Sequence, residues 1–268
     1  MDCKIISKII FFIILSSITQ LNAVEFKGKF LQGHYIIGLT DPKAQILIGK
    51  KRVKVSNDGY FAFGLDRDRK NNVLIKVKTG KETKLIEKKV FKRKYKIQRI
   101  DGLPPKQVTP PPEVYERIKK DNVLIGKARA IDSKLVFFKD KFIYPIDKYI
   151  ITGVYGSQRI LNGKPRRPHY GIDFHAPEGT PVKSMMDGVV TLVANDMYFT
   201  GGTIIFDHGH GVSTLYMHMK DINVKKGQKV KKGEIVGTLG QSGRATGPHL
   251  DIRLNWFEVK LDPASVLN

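Results

Sequence analysis

The chain has 268 residues, of which 41% are hydrophobic and 27% charged, and this composition excludes a largely disordered or collagen-like protein. The length allows one to three domains. The single cysteine excludes a disulfide framework and any structural zinc site built on two or more cysteines, while the net charge of +22 favours polyanionic partners.

Residues 1–23 have the pattern of a secretory signal peptide. Lys4 and Lys8 give a basic start, an unbroken apolar run fills 9–15, and Ala23 supplies a small residue at the cleavage position. The run is too short for a comfortable membrane span, so we expect an exported chain of the periplasm or cell envelope. Its mature form would have no transmembrane segment and no cysteine. An uncleaved N-terminal anchor is the alternative.

Residues 24–101 are predicted to form a small antiparallel β-sandwich, which resembles immunoglobulin-like modules. Apolar and polar residues alternate within short segments, and glycine with Asn or Asp indicates the turns. The predicted strands cover residues 46–50, 53–55, 60–63, 73–78 and 94–100.

The excess positive charge is concentrated in residues 24–134, which hold 28 lysines and arginines against 12 acidic residues. Such a basic segment favours docking to a polyanion. Because the chain is predicted to be exported and has no RNA-binding or helix-turn-helix signature, we do not expect it to bind nucleic acid. Anionic envelope polymers and lipid headgroups are the predicted partners, and a solvated lysine-rich surface without a partner is the alternative.

Residues 102–134 are predicted to form a proline-rich linker followed by a helix. The prolines at 104–105 and 110–112 indicate a stiff spacer. A helix is predicted from Glu113 to about Asp132, because a proline and two acidic residues suit its first turn.

Residues 135–268 are predicted to form a second antiparallel β domain, which makes the chain mainly β. Apolar strands are predicted near 188–193, 203–206 and 212–217, with glycine-centred turns after them. No glycine-rich phosphate loop precedes a predicted helix, so a nucleotide site is not expected.

Five polar side chains of this second domain have the chemistry of a metal centre. His169 and Asp173 lie four residues apart in an extended segment, and His249 and Asp251 share one face of a strand. His218 ends an apolar strand between the two pairs. Zinc accepts imidazole and carboxylate ligands, and a catalytic zinc keeps one position open for water. Taken singly, each histidine is better explained by a surface or packed role, so spacing alone does not decide.

Four histidines lie outside this constellation. His208 and His210 flank a glycine in a predicted hairpin turn, and turn chemistry accounts for them. His175 adjoins the first pair and could support it from outside. His34 lies in the predicted sandwich, residues 24–101, and is assigned no role.

A series of sequence blocks covers nearly half of the chain, from about residue 143 to 263. The blocks are Gly153-Val154-Tyr155-Gly156-Ser157-Gln158-Arg159, His169-Tyr170-Gly171-Ile172-Asp173-Phe174, Ala176-Pro177-Glu178-Gly179-Thr180-Pro181-Val182, Asp187-Gly188-Val189-Val190, Asp207-His208-Gly209, Tyr216-Met217-His218, Val224-Lys225-Lys226-Gly227, Val230-Lys231-Lys232-Gly233 and Gly240-Gln241-Ser242-Gly243-Arg244-Ala245-Thr246-Gly247-Pro248-His249-Leu250. In this order they resemble peptidase family M23, the LytM/lysostaphin-type zinc metallopeptidases.

The resemblance implies one Zn²⁺ ion and a role for each polar side chain of the constellation. The HxxxD pair of the family falls on His169 and Asp173 as zinc ligands. Its lone histidine falls on His218, which would help to activate water or stabilise the transition state. Its terminal His-x-His falls on His249, beside the water, and on Asp251, in the place of a metal-binding histidine.

Asp251 is the one clear departure from the family pattern. Aspartate can bind zinc, but one histidine with two aspartates leaves the dication with no net charge, whereas the usual set leaves +1. A less positive ion should polarise a carbonyl and acidify water less, and more oxygen ligands loosen discrimination against harder metals. Both a working enzyme with a variant ligand and a degenerate domain remain open.

The implied function is an exported zinc-dependent endopeptidase that hydrolyses the stem-peptide crosslinks of peptidoglycan in cell-wall remodelling. The alternative is a catalytically degenerate M23-like module that binds cell wall or activates a partner hydrolase. Arg159, Arg166 and Arg167 could pair with substrate carboxylates, although a solvated loop explains each of them. A lipoyl-like carrier domain, suggested by the Val-x-x-Gly pairs near 224–233, lacks a clear lysine at a hairpin tip.

Overall fold

The computed structural model describes residues 24–267, and the predicted signal peptide lies outside the described residues. Seven short strands form in the predicted sandwich, where apolar and polar residues alternate. Strand β6 shows the cause directly, because Val73, Ile75 and Val77 are buried while the residues between them are exposed. The strands are β1 (Glu25–Lys27), β2 (Tyr35–Leu39), β3 (Gln45–Ile48), β4 (Lys51–Val53), β5 (Tyr60–Gly64), β6 (Val73–Thr79) and β7 (Glu82–Lys88).

These strands form two antiparallel sheets, ordered β1-β2-β5 and β4-β3-β6-β7. Phe61 and Phe63 of the first sheet and Ile46 and Ile75 of the second are fully buried in one hydrophobic core. Two small sheets around a shared core are what the predicted sandwich requires.

The segment after the sandwich packs on the second domain along much of its length. The strand predicted over 94–100 does not join the sandwich, because it is β8 (Ile97–Ile100) and pairs in parallel with a strand of the second domain. The short helix α1 (Pro105–Val108) follows it. A 3-10 turn over Pro112–Val114 leads into helix α2 (Tyr115–Arg129), close to the predicted bounds. Ala128 of α2 is buried against the large sheet described next. Among the described residues, no helix combines the length and apolar character needed to cross a bilayer.

The second domain is built on one large antiparallel sheet, ordered β17-β14-β15-β16-β19-β12-β9 with β13, β18 and β20 attached at its margins. Strands β10 and β11 join β8 in a separate small sheet. This architecture confirms the predicted mainly β fold. The strands are β9 (Ile150–Gly153), β10 (Gln158–Leu161), β11 (Lys164–Pro165), β12 (Ile172–His175), β13 (Pro181–Lys183), β14 (Gly188–Met197), β15 (Gly201–Gly209), β16 (Val212–Ile222), β17 (Lys229–Val230), β18 (Ile235–Leu239), β19 (Leu250–Trp256) and β20 (Val259–Leu261).

The sandwich and the large sheet share one hydrophobic core. Leu261 of β20 is fully buried against Gly64 of β5, where a Cβ would collide with its side chain. The Tyr35 hydroxyl donates to the Phe138 carbonyl at 3.0 Å. This shared apolar core fixes the sandwich relative to the second domain. A spacer without such contacts would let the two modules take independent positions.

His208 is a core residue of β15, and the prediction that turn chemistry accounts for it is wrong. Its side chain is fully buried, Nδ1 donates to the Asp187 carbonyl at 2.8 Å, and Nε2 accepts from the Thr214 hydroxyl at 2.8 Å. Burial lowers the pKa of His208 to about 4. His210 does lie in the turn, with φ of 50°.

We expect His208 to make the fold acid-labile. Its pKa in the folded state lies below the unfolded value, so the unfolded chain takes up the proton first and stability falls as the pH drops below 6.5. Between pH 7 and 4.5 this should remove about 2–3 kcal/mol of unfolding free energy. Urea unfolding at both pH values measures it. His208→Gln should show a smaller fall and His175→Gln, which changes an exposed histidine, an unchanged one, while equal falls in all three proteins would contradict the assignment.

Candidate metal centre

Two neighbouring strands bring the predicted ligands together. Asp173 lies on β12 and Asp251 on β19, and the antiparallel register places these residues directly opposite each other. His169 lies just before β12, where its amide donates to the Ser157 carbonyl at 2.8 Å. All three ligand side chains are buried.

The three side chains form a compact donor set. His169 Nε2 lies 3.0 Å from Asp173 Oδ1 and 3.3 Å from Asp251 Oδ2. Ligands about 2.0–2.1 Å from a tetrahedral ion are themselves roughly 3.3 Å apart, so these separations suit one small divalent cation. The buried Asp173 Oδ1 faces His169 Nε2 and accepts no other hydrogen bond within residues 24–267, as expected of two atoms that share a cation. The donor set therefore fits a metal ion.

Two glycines make room for the carboxylates. A Cβ at Gly153, which is paired with Asp173 across β9 and β12, would collide with the Asp173 carboxylate. A Cβ at Gly171 would collide in the same way with the carboxylate of Asp251. Larger side chains at either position would displace a ligand.

An arginine pairs with each carboxylate. Arg159 Nη2 lies 2.8 Å from Asp173 Oδ2, and Arg253 Nη2 lies 3.0 Å from Asp251 Oδ2. Burial opposes the ionisation of Asp251, but Arg253 and His169 outweigh it and hold the pKa of Asp251 well below its ordinary value. Burial and the charge of Asp251 oppose ionisation of Asp173, yet His169 and Arg159 keep its pKa below the ordinary value. Both carboxylates are therefore ionised at neutral pH, as metal ligands must be.

His218 and His249 form a pair beside this donor set, with their ring centroids 4.6 Å apart. His218 Nδ1 lies 2.7 Å from the Ser242 carbonyl, and His249 Nδ1 lies 2.9 Å from the Gly247 carbonyl. A carbonyl only accepts, so Nδ1 of each ring carries a proton, and the lone pair of a neutral ring would lie on Nε2. Burial, reinforced by His249, lowers the pKa of His218 to about 4, which keeps this ring neutral at physiological pH.

The backbone of His218 departs from regular strand geometry. Its φ is 65°, a left-handed conformation that few residues other than glycine adopt. The pairing of β16 with its neighbours shifts register around this residue. Such irregularities re-aim a side chain, and they are typical of functional sites.

The two histidines and Asp173 line a cleft of about 310 Å³. One wall comes from the segment after the sandwich, where Gln98, Ile100 and Leu103 face the site. Gln98 Oε1 accepts from Arg159 Nε at 3.3 Å, so the N-terminal segment contacts the arginine that pairs with Asp173.

A larger groove of about 780 Å³ is also lined by His169 and is strongly basic. One acidic residue, Glu258, lies among its charged lining residues, and the cations are Arg129, Arg159, Arg166, Arg167, Arg244, Arg253 and Lys260. Burial and the charges of Arg159, Arg253 and Arg166 lower the pKa of Arg244 to about 10. The excess of cations over acidic side chains in its lining favours an anionic ligand.

Several side chains lie where the sequence did not lead us to expect them. Arg159 holds Asp173 instead of lying in a solvated loop, and Arg166 donates to the Val108 carbonyl at 2.9 Å. His175 is exposed at the cleft, and its Nδ1 donates to the Pro248 carbonyl at 2.7 Å. Arg253 was missed altogether, although its position two residues after Asp251 on one strand places both on the same face.

The segment that holds the metal centre is similar to known peptidases. Residues 167–263 match the profile of peptidase family M23. Peptidoglycan DD-endopeptidase ShyA of Vibrio cholerae is 42% identical over 113 residues, which are 41% of this chain and 26% of ShyA. An uncharacterized metalloprotease of Buchnera aphidicola is 32% identical over 201 residues, which are 74% of this chain and 48% of that protein. The chain therefore spans from about a quarter to about a half of the length of these curated relatives.

A solved structure shows that the fold extends beyond the matched segment. The crystal structure of an M23 peptidase from Pseudomonas aeruginosa matches with a TM-score of 0.70 and 24% identity. The match covers 89% of this chain and 95% of that one, so the two share a fold across both modules.

Proposed function

Because the chain belongs to peptidase family M23 through residues 167–263, we propose that it is a zinc-dependent endopeptidase that hydrolyses peptide crosslinks of peptidoglycan. The observation that carries the proposal is the position of His169 Nε2, 3.0 and 3.3 Å from two carboxylate oxygens, beside the paired His218 and His249. ShyA, which is named a peptidoglycan DD-endopeptidase, supports the substrate class.

The side chains divide the chemistry between them. His169, Asp173 and Asp251 would hold a divalent ion, which would polarise the scissile carbonyl and acidify water. Neutral His218 offers its Nε2 lone pair to the proton of the attacking water. His249 Nε2 can hydrogen-bond the same water or, once protonated, stabilise the developing oxyanion.

The basic groove supports an anionic peptide as substrate. Carboxylates of a stem peptide can pair with guanidinium groups in the two-point geometry that arginine favours. Arg244 is a candidate for this pairing, because it lines both the cleft of His218 and the larger groove, as Arg159 also does.

A non-catalytic wall-binding module is the second candidate, and one observation favours it. Arg159 and Arg253 already neutralise the two carboxylates, which is what a metal-free site would need. Metal content separates the two candidates, because only the enzyme requires an ion.

Metal analysis and muropeptide digestion test the proposed function. Wild type should contain about one zinc per chain and release cleaved crosslinks, Asp251→Ala should lose metal and activity, and His249→Ala should keep metal but lose activity. Asp251→His should retain both. Wild-type protein that binds wall without metal or cleavage would contradict the enzyme and support the binding module.

Localisation and domain roles belong to the same proposal. Residues 1–23 would be removed on export to the periplasm or cell envelope, residues 24–101 and 102–134 would form the sandwich with its connecting segment, and residues 135–268 would form the peptidase domain. The basic residues of the segment 24–134 would hold the peptidase domain on anionic wall polymers.

We expect binding to isolated sacculi to weaken severalfold between 50 and 300 mM salt, because exposed charges are screened within about 6–14 Å over that range. A pelleting assay measures it. Lys81→Glu with Lys84→Glu, both exposed beside or on β7, should weaken binding, whereas Lys226→Glu with Lys229→Glu in the second domain should have a smaller effect. Salt-independent binding would contradict electrostatic docking.

A further inference from the structure

We propose that Arg253 is a positioning residue of the metal centre, and that Asp251 and Arg253 act together as one ligand of nearly zero net charge. The inference rests on the proposed function, because it concerns the same site. It accounts for how an ion with two carboxylate ligands, Asp173 and Asp251, could stay electrophilic.

The contact between these residues is direct and specific. Asp251 and Arg253 are two residues apart on β19, so both side chains leave the same face of the strand. Arg253 approaches with two nitrogens, Nη2 at 3.0 Å from Oδ2 and Nε at 3.4 Å from Oδ1. A two-point contact fixes the plane of the carboxylate as well as its position.

The oxygen that Arg253 contacts decides its role. Asp251 Oδ2, which accepts from Arg253, is also the oxygen that lies 3.3 Å from His169 Nε2. Arg159 instead contacts Asp173 Oδ2 and leaves Oδ1 to face His169. The charge of Arg253 is therefore placed on the ligating side of its carboxylate, whereas that of Arg159 lies on the far side.

The charge balance gives the consequence. A dication with neutral His169, Asp173 and Asp251 has no net charge, which would weaken its pull on a carbonyl or on water. Arg253 places one positive charge on the Asp251 oxygen that faces His169, and this offsets the negative charge that an aspartate carries and a neutral histidine does not. A cation this close to the ion also lowers affinity for the ion, since like charges repel strongly in a partly buried site. Arg253 thus lowers the affinity of the site for the ion and raises the electrophilicity of the bound ion.

The test is zinc affinity together with kinetics, measured on the purified full chain. In competition with a chromophoric chelator, Arg253→Gln should bind Zn²⁺ at least about tenfold more tightly than wild type. Its kcat should fall about tenfold with KM within about twofold. Arg253→Lys, which keeps the charge, should stay close to wild type in affinity, and Arg52→Gln, an exposed arginine of β4, should match wild type in both measurements.

A second pair of variants covers the case in which Arg253→Gln leaves Asp251 uncompensated and unfolds. Asp251→His removes the ion pair, so Arg253 can then be changed without exposing a buried carboxylate. The double variant Asp251→His/Arg253→Gln should bind Zn²⁺ about tenfold more tightly than Asp251→His alone. Equal or weaker affinity on loss of Arg253 in the folded variants would overturn the proposal. Absence of crosslink cleavage with this affinity order intact would instead contradict the proposed function alone.

Discussion

Replacing His249 with alanine is expected to lower kcat for crosslink cleavage by a factor of about 10²–10⁴, the usual contribution of a positioned acid–base group. The Gly247 carbonyl holds the proton on Nδ1, so Nε2 is the atom that faces the reaction. Alanine removes this atom and leaves the three-residue donor set intact. Steady-state cleavage of a defined crosslinked peptide by zinc-loaded protein measures the effect.

The matched control is His34→Ala, which removes a histidine of the sandwich module, away from the cleft. It should retain wild-type kcat. Zinc content of His249→Ala should remain that of wild type, which separates a loss of chemistry from a loss of metal. Activity of His249→Ala within about threefold of wild type would remove His249 from the mechanism.

Replacing Leu261 with alanine is expected to cost about 3–5 kcal/mol of unfolding free energy. Leu261 of β20 is fully buried against Gly64 of the sandwich, so the truncation leaves a cavity at the junction of the two modules. Because the two modules share a core, they should unfold together in one cooperative transition that shows this loss of stability. Urea denaturation followed by tryptophan fluorescence measures it, because Trp256 lies in the same core.

Leu85→Ala is the control, because Leu85 is 61% exposed on β7. It should change stability by less than about 0.5 kcal/mol. Two separate transitions in Leu261→Ala, one for each module, would show that the modules unfold independently and would contradict a common core.

The junction also changes how deletions should be interpreted. A proline-rich stretch indicates a spacer between independent modules, because such stretches are stiff and poor in contacts. Here Leu103 and Val108 pack on Leu161, and β8 pairs with β10 beside the cleft. Removing the N-terminal module would therefore expose core and open one wall of the site.

Histidines illustrate the limit of local reasoning. His208 and His210 occupy nearly the same sequence context, yet one is a fully buried member of β15 and the other lies in the turn. The difference depends on the packing of β15 between β14 and β16, which brings Asp187 and Thr214 to the two nitrogens of His208. The residues that adjoin His208 in the sequence therefore do not indicate that Asp187 and Thr214 will be its hydrogen-bond partners.

The sequence by itself determined the mainly β fold, the helix near 115–129, and the five side chains that could form the site. These features depend on periodicity and on short motifs, which are properties of neighbouring residues. Only the tertiary structure decided that Arg253 contacts the Asp251 oxygen that faces His169 and that the segment from Gln98 to Leu103 forms a wall of the cleft. Contacts of these kinds depend on which distant strands become neighbours, and in what register, because burial of the whole core selects that arrangement.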